Sequence, residues 1–560
     1  MNAPGVGAGG AEQHIGLMQR MAALIGLFFR VERRVLGLVV SYSLAIALFS
    51  LIVPLTVQEL VNTFAFAIQP ITIVTLSAIM ALTLLFVGAF RALQFFAVEI
   101  LERRIFARIA FTMTQQTPCF QDQAFIPKYA NYFFESVLMQ RALSVFLVDL
   151  INVVIGSIVG MTIMVFYHPY FLAFNAALLV GFGVVVFMLG HGGLAATIAM
   201  SQAKYDTVNW MQEISNNLMH FKSTASGPLL MNKTDEQVRT YLEARRIRFQ
   251  VLMRQFLGSV GWQAVGHSGL IATAGWLLAM GQLTLGQLVA AEVIVSSILL
   301  NFDAVVKRMA HVYYFCTSLV ELDYLFSLPK DVARTMVPVP LPDPALYGIR
   351  LTCKEVSLAP PGADPIFENF DLEVSPGEKV AIFAGTSSGK TGLARVLAGL
   401  YTPSSGVVRY NGVDLRHVSM EALNACRGLV LDSQLSLFEG TLEENITLAR
   451  PKVDYQDVLW ALRYVEMEEE VDAFPQGLKT QIRARGRTFT TSQVLRILVA
   501  RAIVTRPQLL ILDGTLHSMN PATRDTILRR LCSKEEPWSV IFVSNDPTLT
   551  AHVDRRLTLE

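Results

Sequence analysis

Long apolar runs alternate with polar stretches through the first half of the chain, and then the pattern changes. Stretches of membrane-crossing length run from Val35 to Leu55, Ile71 to Phe96, Leu143 to Tyr167, Phe171 to Leu189, Phe256 to Met280 and Leu288 to Val306. A helix needs about 20 residues to cross a bilayer. The pattern therefore predicts six spanning helices rather than the buried helices of a soluble bundle. Two long intervening segments, about Glu99 to Arg141 and His191 to Arg254, are polar and helical in pattern, and read as extensions of the spans beyond the membrane. Ile15 to Phe29 reads as an interfacial helix. Residues 1–14 are small and polar, with no basic start before an apolar core, and read as a disordered tail rather than a secretory signal.

Charge orients these spans. Arg33, Arg34, Arg103, Arg104, Arg108, Lys128 and Arg141 flank one side, with Lys204, Lys222, Arg239, Arg245 and Arg254 from the second long loop. The opposite connections, Asn62 to Pro70, His168-Pro169 and Gly281 to Gly286, hold no Lys or Arg. The positive-inside bias makes the N-terminus and both long loops cytosolic. The spanning region is thus expected over residues 15–328. Residues 329–344, with Pro338, Pro340, Pro342 and Pro344, read as a stiff linker. From 345 to 560 short strands, turns and helices predict a soluble α/β domain.

Composition agrees. Of the 560 residues only 16% are charged and 52% are hydrophobic, against about 25% charged in soluble proteins. The formal net charge of +1 makes no case for nucleic acid. Cys119, Cys316, Cys353, Cys426 and Cys532 form no C-x-x-C pair and are expected to be reduced and not to hold metal.

The chemistry lies in the second half. Ile382 to Leu393, IFAGTSSGKTGL, follows an apolar strand-like run and leads into a helical one. That is the setting of a phosphate-binding loop, in which backbone N–H groups and a helix N-terminus face the anion. Gly385, Thr386, Ser387, Ser388, Gly389, Lys390, Thr391 and Gly392 are the expected nucleotide contacts. Lys390 would reach the β- and γ-phosphates, and the Thr391 hydroxyl would help hold Mg²⁺. The pattern wants glycine where Ala384 stands.

With this loop, six spans and two long cytosolic segments, the chain resembles an ABC exporter half-transporter. The resemblance covers nearly everything after residue 14. Leu400 to Leu415, Phe438 to Ile446 (FEGTLEENI), Phe474 to Thr480 and Val499 to Asp513 (VARAIVTRPQLLILD) also carry it. It implies an all-α six-span domain joined to an α/β P-loop nucleotide-binding domain that takes ATP and Mg. It also implies a multi-pass protein of a bacterial inner membrane with its nucleotide-binding domain in the cytosol. A second half-transporter, the same chain or an intact partner, is implied too, and the transported substrate stays unspecified.

The same alignment shows departures. The adenine-stacking aromatic falls near Pro360, and the loop glutamine falls at Ser433, with Gln434 one place late. The LSGGQ signature reads Phe489-Thr490-Thr491-Ser492-Gln493, so Thr491 replaces a glycine that lets backbone approach the γ-phosphate. Asp513 is kept to orient Mg²⁺, but the catalytic glutamate is Gly514 and the switch histidine is Asn545. The turn between them reads His517-Ser518-Met519-Asn520, and His517 is read as a turn residue rather than a catalyst. A positioned general base contributes roughly 10²–10⁴-fold in rate, so the resemblance implies nucleotide binding with hydrolysis impaired or lost. The rival reading is a membrane scaffold or regulator with a pseudo-ATPase domain.

Within the spans, Asp149 and Glu292 are weighed equally as walls of a translocation path or as groups near helix ends paired with neighbouring spans. Asp303 reads as paired near a helix end, Arg91 as snorkelling, and His267 as a packed or pore-facing residue rather than a metal ligand. Glu213 to Ser226 and Gln121 to Tyr132 resemble the loop regions that bear on a nucleotide-binding domain.

Overall fold

The computed structural model describes residues 23–26, 30–64, 70–121, 127–224, 226–330, 348–359, 364–384, 389–431, 437–483, 489–514, 516 and 519–559. It divides into two compact units, Met1–Asp331 and Val332–Glu560.

The first unit is helical. Arg33–Ser50 continues past Leu51 as Ile52–Phe64; Pro70–Gln116 runs for 47 residues and Gly227–Ala279 for 53. At 1.5 Å per residue the longer two span roughly 70–80 Å, more than twice a hydrocarbon core of about 30 Å. Each therefore carries a membrane-type half and a polar half. Five of the described helices are long and apolar enough to cross a membrane: Arg33–Thr63, Pro70–Cys119, Lys128–Tyr167, Tyr170–Asn216 and Leu285–Lys307. The remaining expected span, Phe256 to Met280, is helical as the C-terminal part of Gly227–Ala279. Its glycines, Gln263 and His267 dilute its apolar character, and two of those glycines, Gly258 and Gly266, serve packing. A Cβ on Gly258 would lie 2.4 Å from Leu189, and one on Gly266 2.9 Å from Leu299. Phe166 and Phe187 are 84% and 78% exposed, as side chains facing lipid can be and side chains facing water rarely are.

Inside this unit polar groups are paired. Gln94, fully buried, donates to Ser43 Oγ (2.8 Å), and it exchanges two hydrogen bonds with Asn152 (3.2 and 2.9 Å). Such a bridge ties together the register of three helices.

The second unit is α/β. Its strands are β1 (Leu351–Leu358), β2 (Phe367–Val374), β3 (Lys379–Ala384), β4 (Ser405–Tyr410), β5 (Val413–Asp414), β6 (Arg427–Val430), β7 (Gly440–Thr441), β8 (Gln481–Ile482), β9 (Leu509–Asp513), β10 (Ser539–Val543) and β11 (Arg555–Leu559). A parallel sheet runs β11-β3-β10-β9-β6, an antiparallel one β2-β1-β4-β5, and β7 pairs with β8. β9 and β10 are buried on both faces and accordingly read as unbroken apolar runs.

Alternation along the parallel sheet separates two cores. Ala381, Leu510, Leu512, Val540 and Phe542 pack on one face with helix Thr491–Ile503. Val380, Ile382, Leu509, Ile511, Ile541 and Val543 pack on the other with helix Lys390–Leu397.

Candidate functional site

The carboxyl ends of β3, β10 and β9 form one edge. Ile382 is in register with Val543, and Val543 with Asp513. Asp513 therefore lies two strand spacings, roughly 10 Å, from the end of β3. Ala384 is the last residue of β3, in register with Leu559. Its extended, paired backbone explains why alanine stands where the phosphate-loop pattern wants glycine.

Gly385, Thr386, Ser387 and Ser388 lie outside the described residues. The chain is described again at Gly389, the N-cap of helix Lys390–Leu397, with φ +76°. A Cβ there would sit 2.3 Å from Ile366 Cγ2, so both backbone angle and space require glycine. Lys390 and Thr391 begin the helix and Gly392 follows, where a Cβ would come within 2.8 Å of Leu358 Cδ2. The first N–H groups of a helix have no intrahelical acceptor and carry the positive end of its dipole. The described part of the loop thus fits a phosphate. A threonine hydroxyl and a carboxylate, Thr391 and Asp513, are the hard oxygen donors that Mg²⁺ takes.

Asp513 is 3% exposed at the end of β9. Gly514 follows with φ +63°, its N–H bonded to Val543 O (2.9 Å). This backbone angle disfavours any side chain at Gly514. Asn545 is exposed just past β10. Its neighbour Asp546 was not legible as a functional position. It accepts from Thr548 N (2.9 Å) and ion-pairs with Arg524 (3.2 Å) of helix Pro521–Leu531, so the turn that carries Asn545 is tied down. Asn520 caps that helix, accepting from Ala522 N at 3.0 Å. Pro360, Ser433, Gln434, His517 and Ser518 lie outside the described residues.

The signature-like segment starts helix Thr491–Ile503, with Thr490 as N-cap. Thr490 Oγ1 accepts from Gln493 N (3.3 Å), and Gln493 Oε1 accepts from Thr490 N (2.9 Å). Gln493 Nε2 donates to Glu470 (2.9 Å), which also pairs with Arg496 (2.7 Å). Burial alone would push the Glu470 carboxyl up, but the Gln493 amide and Arg496 hold it below its ordinary value. Phe489 packs edge-on against Phe474, ring centres 5.8 Å apart. The Thr490 hydroxyl thus serves its own helix. Because this helix and the Lys390 helix lie on opposite faces of the parallel sheet, the chain does not bring Thr490 to Gln493 beside Lys390 on one face.

In the helical unit a cavity of about 680 Å³ is lined by Arg91, Gln94, Asp149, Asn152, Asn301 and Arg308 among apolar groups. Asp149 pairs with Arg308 at 2.6 Å within it. Glu292 faces His267 (3.0 Å) and Ser296 (3.0 Å) instead and does not line that cavity. Asp303 pairs with Lys307 (2.6 Å) and accepts from Ser259 (3.2 Å). Of the two loop regions, residues 122–126 and 225 are not described.

Residues 367–517 match the family model for the ABC transporter. The chain is 30% identical over 279 residues to a fatty acid ABC transporter ATP-binding/permease protein of Mycobacterium bovis, 49% of this chain and 42% of that one. It is 26% identical over 317 residues to a mycobactin import ATP-binding/permease protein of Mycolicibacterium thermoresistibile, 56% and 53% of the two. It is 25% identical over 349 residues to a leukotoxin translocation ATP-binding protein of a Pasteurella haemolytica-like species, 60% and 47% of the two. The chain thus spans about half the length of these relatives. A solved bacterial Atm1-family ABC exporter with ATP bound superimposes with a TM-score of 0.84 at 18% identity, over 95% of this chain and 94% of that one. That likeness is one of fold.

Proposed function

Since this chain carries an ABC transporter domain behind a membrane-type helical unit, in the fold of an ABC exporter half, we propose that it is a subunit of an ABC exporter-like transporter that binds nucleotide and hydrolyses it poorly or not at all. The observation that carries the reading is the junction at the end of β9. Asp513 is kept for Mg²⁺, while Gly514, held at positive φ by Val543, supplies neither a carboxylate nor a backbone suited to one. Gly389, Lys390 and Thr391 would face the phosphate oxygens of ATP, and Mg²⁺ held by Thr391 and Asp513 would offset their charge. No group at Gly514 takes a proton from water.

The opposite-face placement of the Lys390 and Thr491 helices supports a dimer, in which the helix of a second nucleotide-binding domain completes each site. The second half is either the same chain or an intact partner. The location is a bacterial inner membrane, with the nucleotide-binding domain in the cytosol. The cavity holding Arg91, Asp149 and Arg308 is the translocation wall. The names of the relatives span fatty acid, mycobactin and leukotoxin, and so single out no substrate.

The experiment is equilibrium Mg-ATP binding and ATPase on the purified, unmodified full chain. Binding is expected, with Lys390→Ala weakening it by roughly tenfold to a hundredfold. Robust magnesium-dependent ATPase from the homodimer, abolished by Lys390→Ala, would overturn the impaired-site reading.

A further inference from the structure

Five arginines from two helices gather at one end of the membrane helices. Glu32, the N-cap of Arg33–Ser50, is 4% exposed and pairs with Arg104 (3.6 Å) and Arg108 (3.2 Å) of helix Pro70–Gln116. That carboxylate is shared by two guanidinium groups. Arg30, Arg33 and Arg34 make no ion pair or hydrogen bond among the described residues. Arg30, Glu32, Arg33, Arg34 and Arg104 line one open cavity of about 460 Å³. Four arginines and one glutamate therefore line this cup, and Arg108 braces the same glutamate from outside the lining.

Immediately along the same two helices the surface becomes apolar. Leu36 and Val39 pack with Val98 and Leu101, and Ser43 meets Gln94, so the helices run side by side in fixed register. On the outer faces of the same helices, Leu38 lies one turn from Arg34, and Ile100 and Phe96 lie one and two turns from Arg104; they are exposed at 50%, 38% and 64%. Scattered basic residues suffice to orient a span. They do not require a buried glutamate that draws arginines of a second helix onto the first. A fork of guanidinium donors matches the paired oxygens of a phosphodiester, and basic pockets between membrane helices take anionic headgroups.

We propose that this cup binds the phosphodiester headgroup of an anionic phospholipid, whose acyl chains lie along Leu38, Phe96 and Ile100. The site needs the membrane placement of these helices and does not depend on whether the protein transports or hydrolyses anything. A free phosphate shares the headgroup chemistry but leaves the apolar faces uncovered.

The test uses the purified full chain in detergent, titrated with phosphatidylglycerol, cardiolipin, phosphatidylcholine or inorganic phosphate, and reads lipid retained by intact-protein mass measurement and the unfolding midpoint. Saturable binding and a raised midpoint are expected for phosphatidylglycerol and cardiolipin, with little response to phosphatidylcholine. Replacing Arg30, Arg33 and Arg34 by Gln together should weaken phosphatidylglycerol by about a hundredfold. Arg239→Gln with Arg246→Gln, which removes exposed charge elsewhere, should leave it unchanged. Equal binding of phosphatidylcholine by the unmodified chain overturns the proposal whether or not the triple variant folds. So does an equal loss in the control variant. Inorganic phosphate reproducing the full midpoint shift would overturn the lipid assignment and leave an anion site only.

Discussion

Thr490 and Gln493 satisfy each other: the threonine hydroxyl accepts from the glutamine N–H at 3.3 Å, and the glutamine side-chain oxygen accepts from the threonine N–H at 2.9 Å. This reciprocal cap uses the two side chains that the signature segment would otherwise turn toward a phosphate. Thr490→Ala should cost about 1 kcal/mol of stability, read as a lower urea midpoint for the full chain with ATP affinity unchanged. An unchanged midpoint would show that the cap is not held in solution.

Gly514→Glu restores a carboxylate beside Asp513 but places it on a backbone at φ +63°. The substitution should cost roughly 1 kcal/mol and recover little ATPase, because Asn545 and Thr491 remain. Gly514→Glu combined with Asn545→His and Thr491→Gly should recover more. Full turnover from Gly514→Glu alone would show that the backbone rearranges freely and the other two replacements are immaterial.

Arg524 and Asp546 are 18% and 8% exposed across a 3.2 Å pair. Removing only the arginine takes an ion-pair partner from a mostly buried carboxylate that still accepts from Thr548, so Arg524→Ala should destabilise by about 1–3 kcal/mol. The double variant with Asp546→Ala should regain part of that, measured as a coupling energy in a double-mutant cycle. Additive losses would contradict the pairing.

Glu321 gives a pH dependence. It is 4% exposed on helix Met309–Phe326 and accepts from Ser201 (3.1 Å). Burial, and then the neighbouring Glu135 charge, push its carboxyl from 4.5 up to about 8, with Lys204 opposing. Tyr132, Tyr205 and Asp206 stand nearby. The folded chain thus holds a proton that the unfolded chain releases. Stability from this group is fully present below 4.5 and is lost as pH rises toward about 8. The wild type should melt lower at pH 8 than at pH 6, and Glu321→Gln should flatten that difference. An identical slope in the variant would remove Glu321 as its source.

Much of the architecture was legible because it is written locally. A lipid-crossing helix is a property of one contiguous run, and five of the six expected runs stand as long apolar helices. The remaining one, Phe256 to Met280, is helical but more polar, since Gln263, His267 and five glycines interrupt it, of which Gly258 and Gly266 allow close approach to Leu189 and Leu299. The end of β3 and the start of the Lys390 helix are likewise close in sequence, and the left-handed angle of Gly389, φ +76°, is a local reason for glycine there.

By itself, then, the sequence determined the kind of protein: membrane helices, a phosphate-type turn and an α/β domain, whose individual elements are each encoded within about 10–25 adjacent residues. It also determined which side chains the site lacks, since an absent carboxylate at Gly514 needs no structure to be seen. Only the tertiary structure decided how the remaining groups are used. The order β11-β3-β10-β9-β6 does not follow the chain, so no local pattern tells that the Lys390 and Thr491 helices lie on opposite faces. The left-handed angle of Gly514 is accompanied by a hydrogen bond to Val543, and Asp149 meets Arg308 only when distant helices pack. Partners of this kind are chosen by which surfaces meet in space, and hydrophobic periodicity, which reports only the burial of each position, carries no record of that choice.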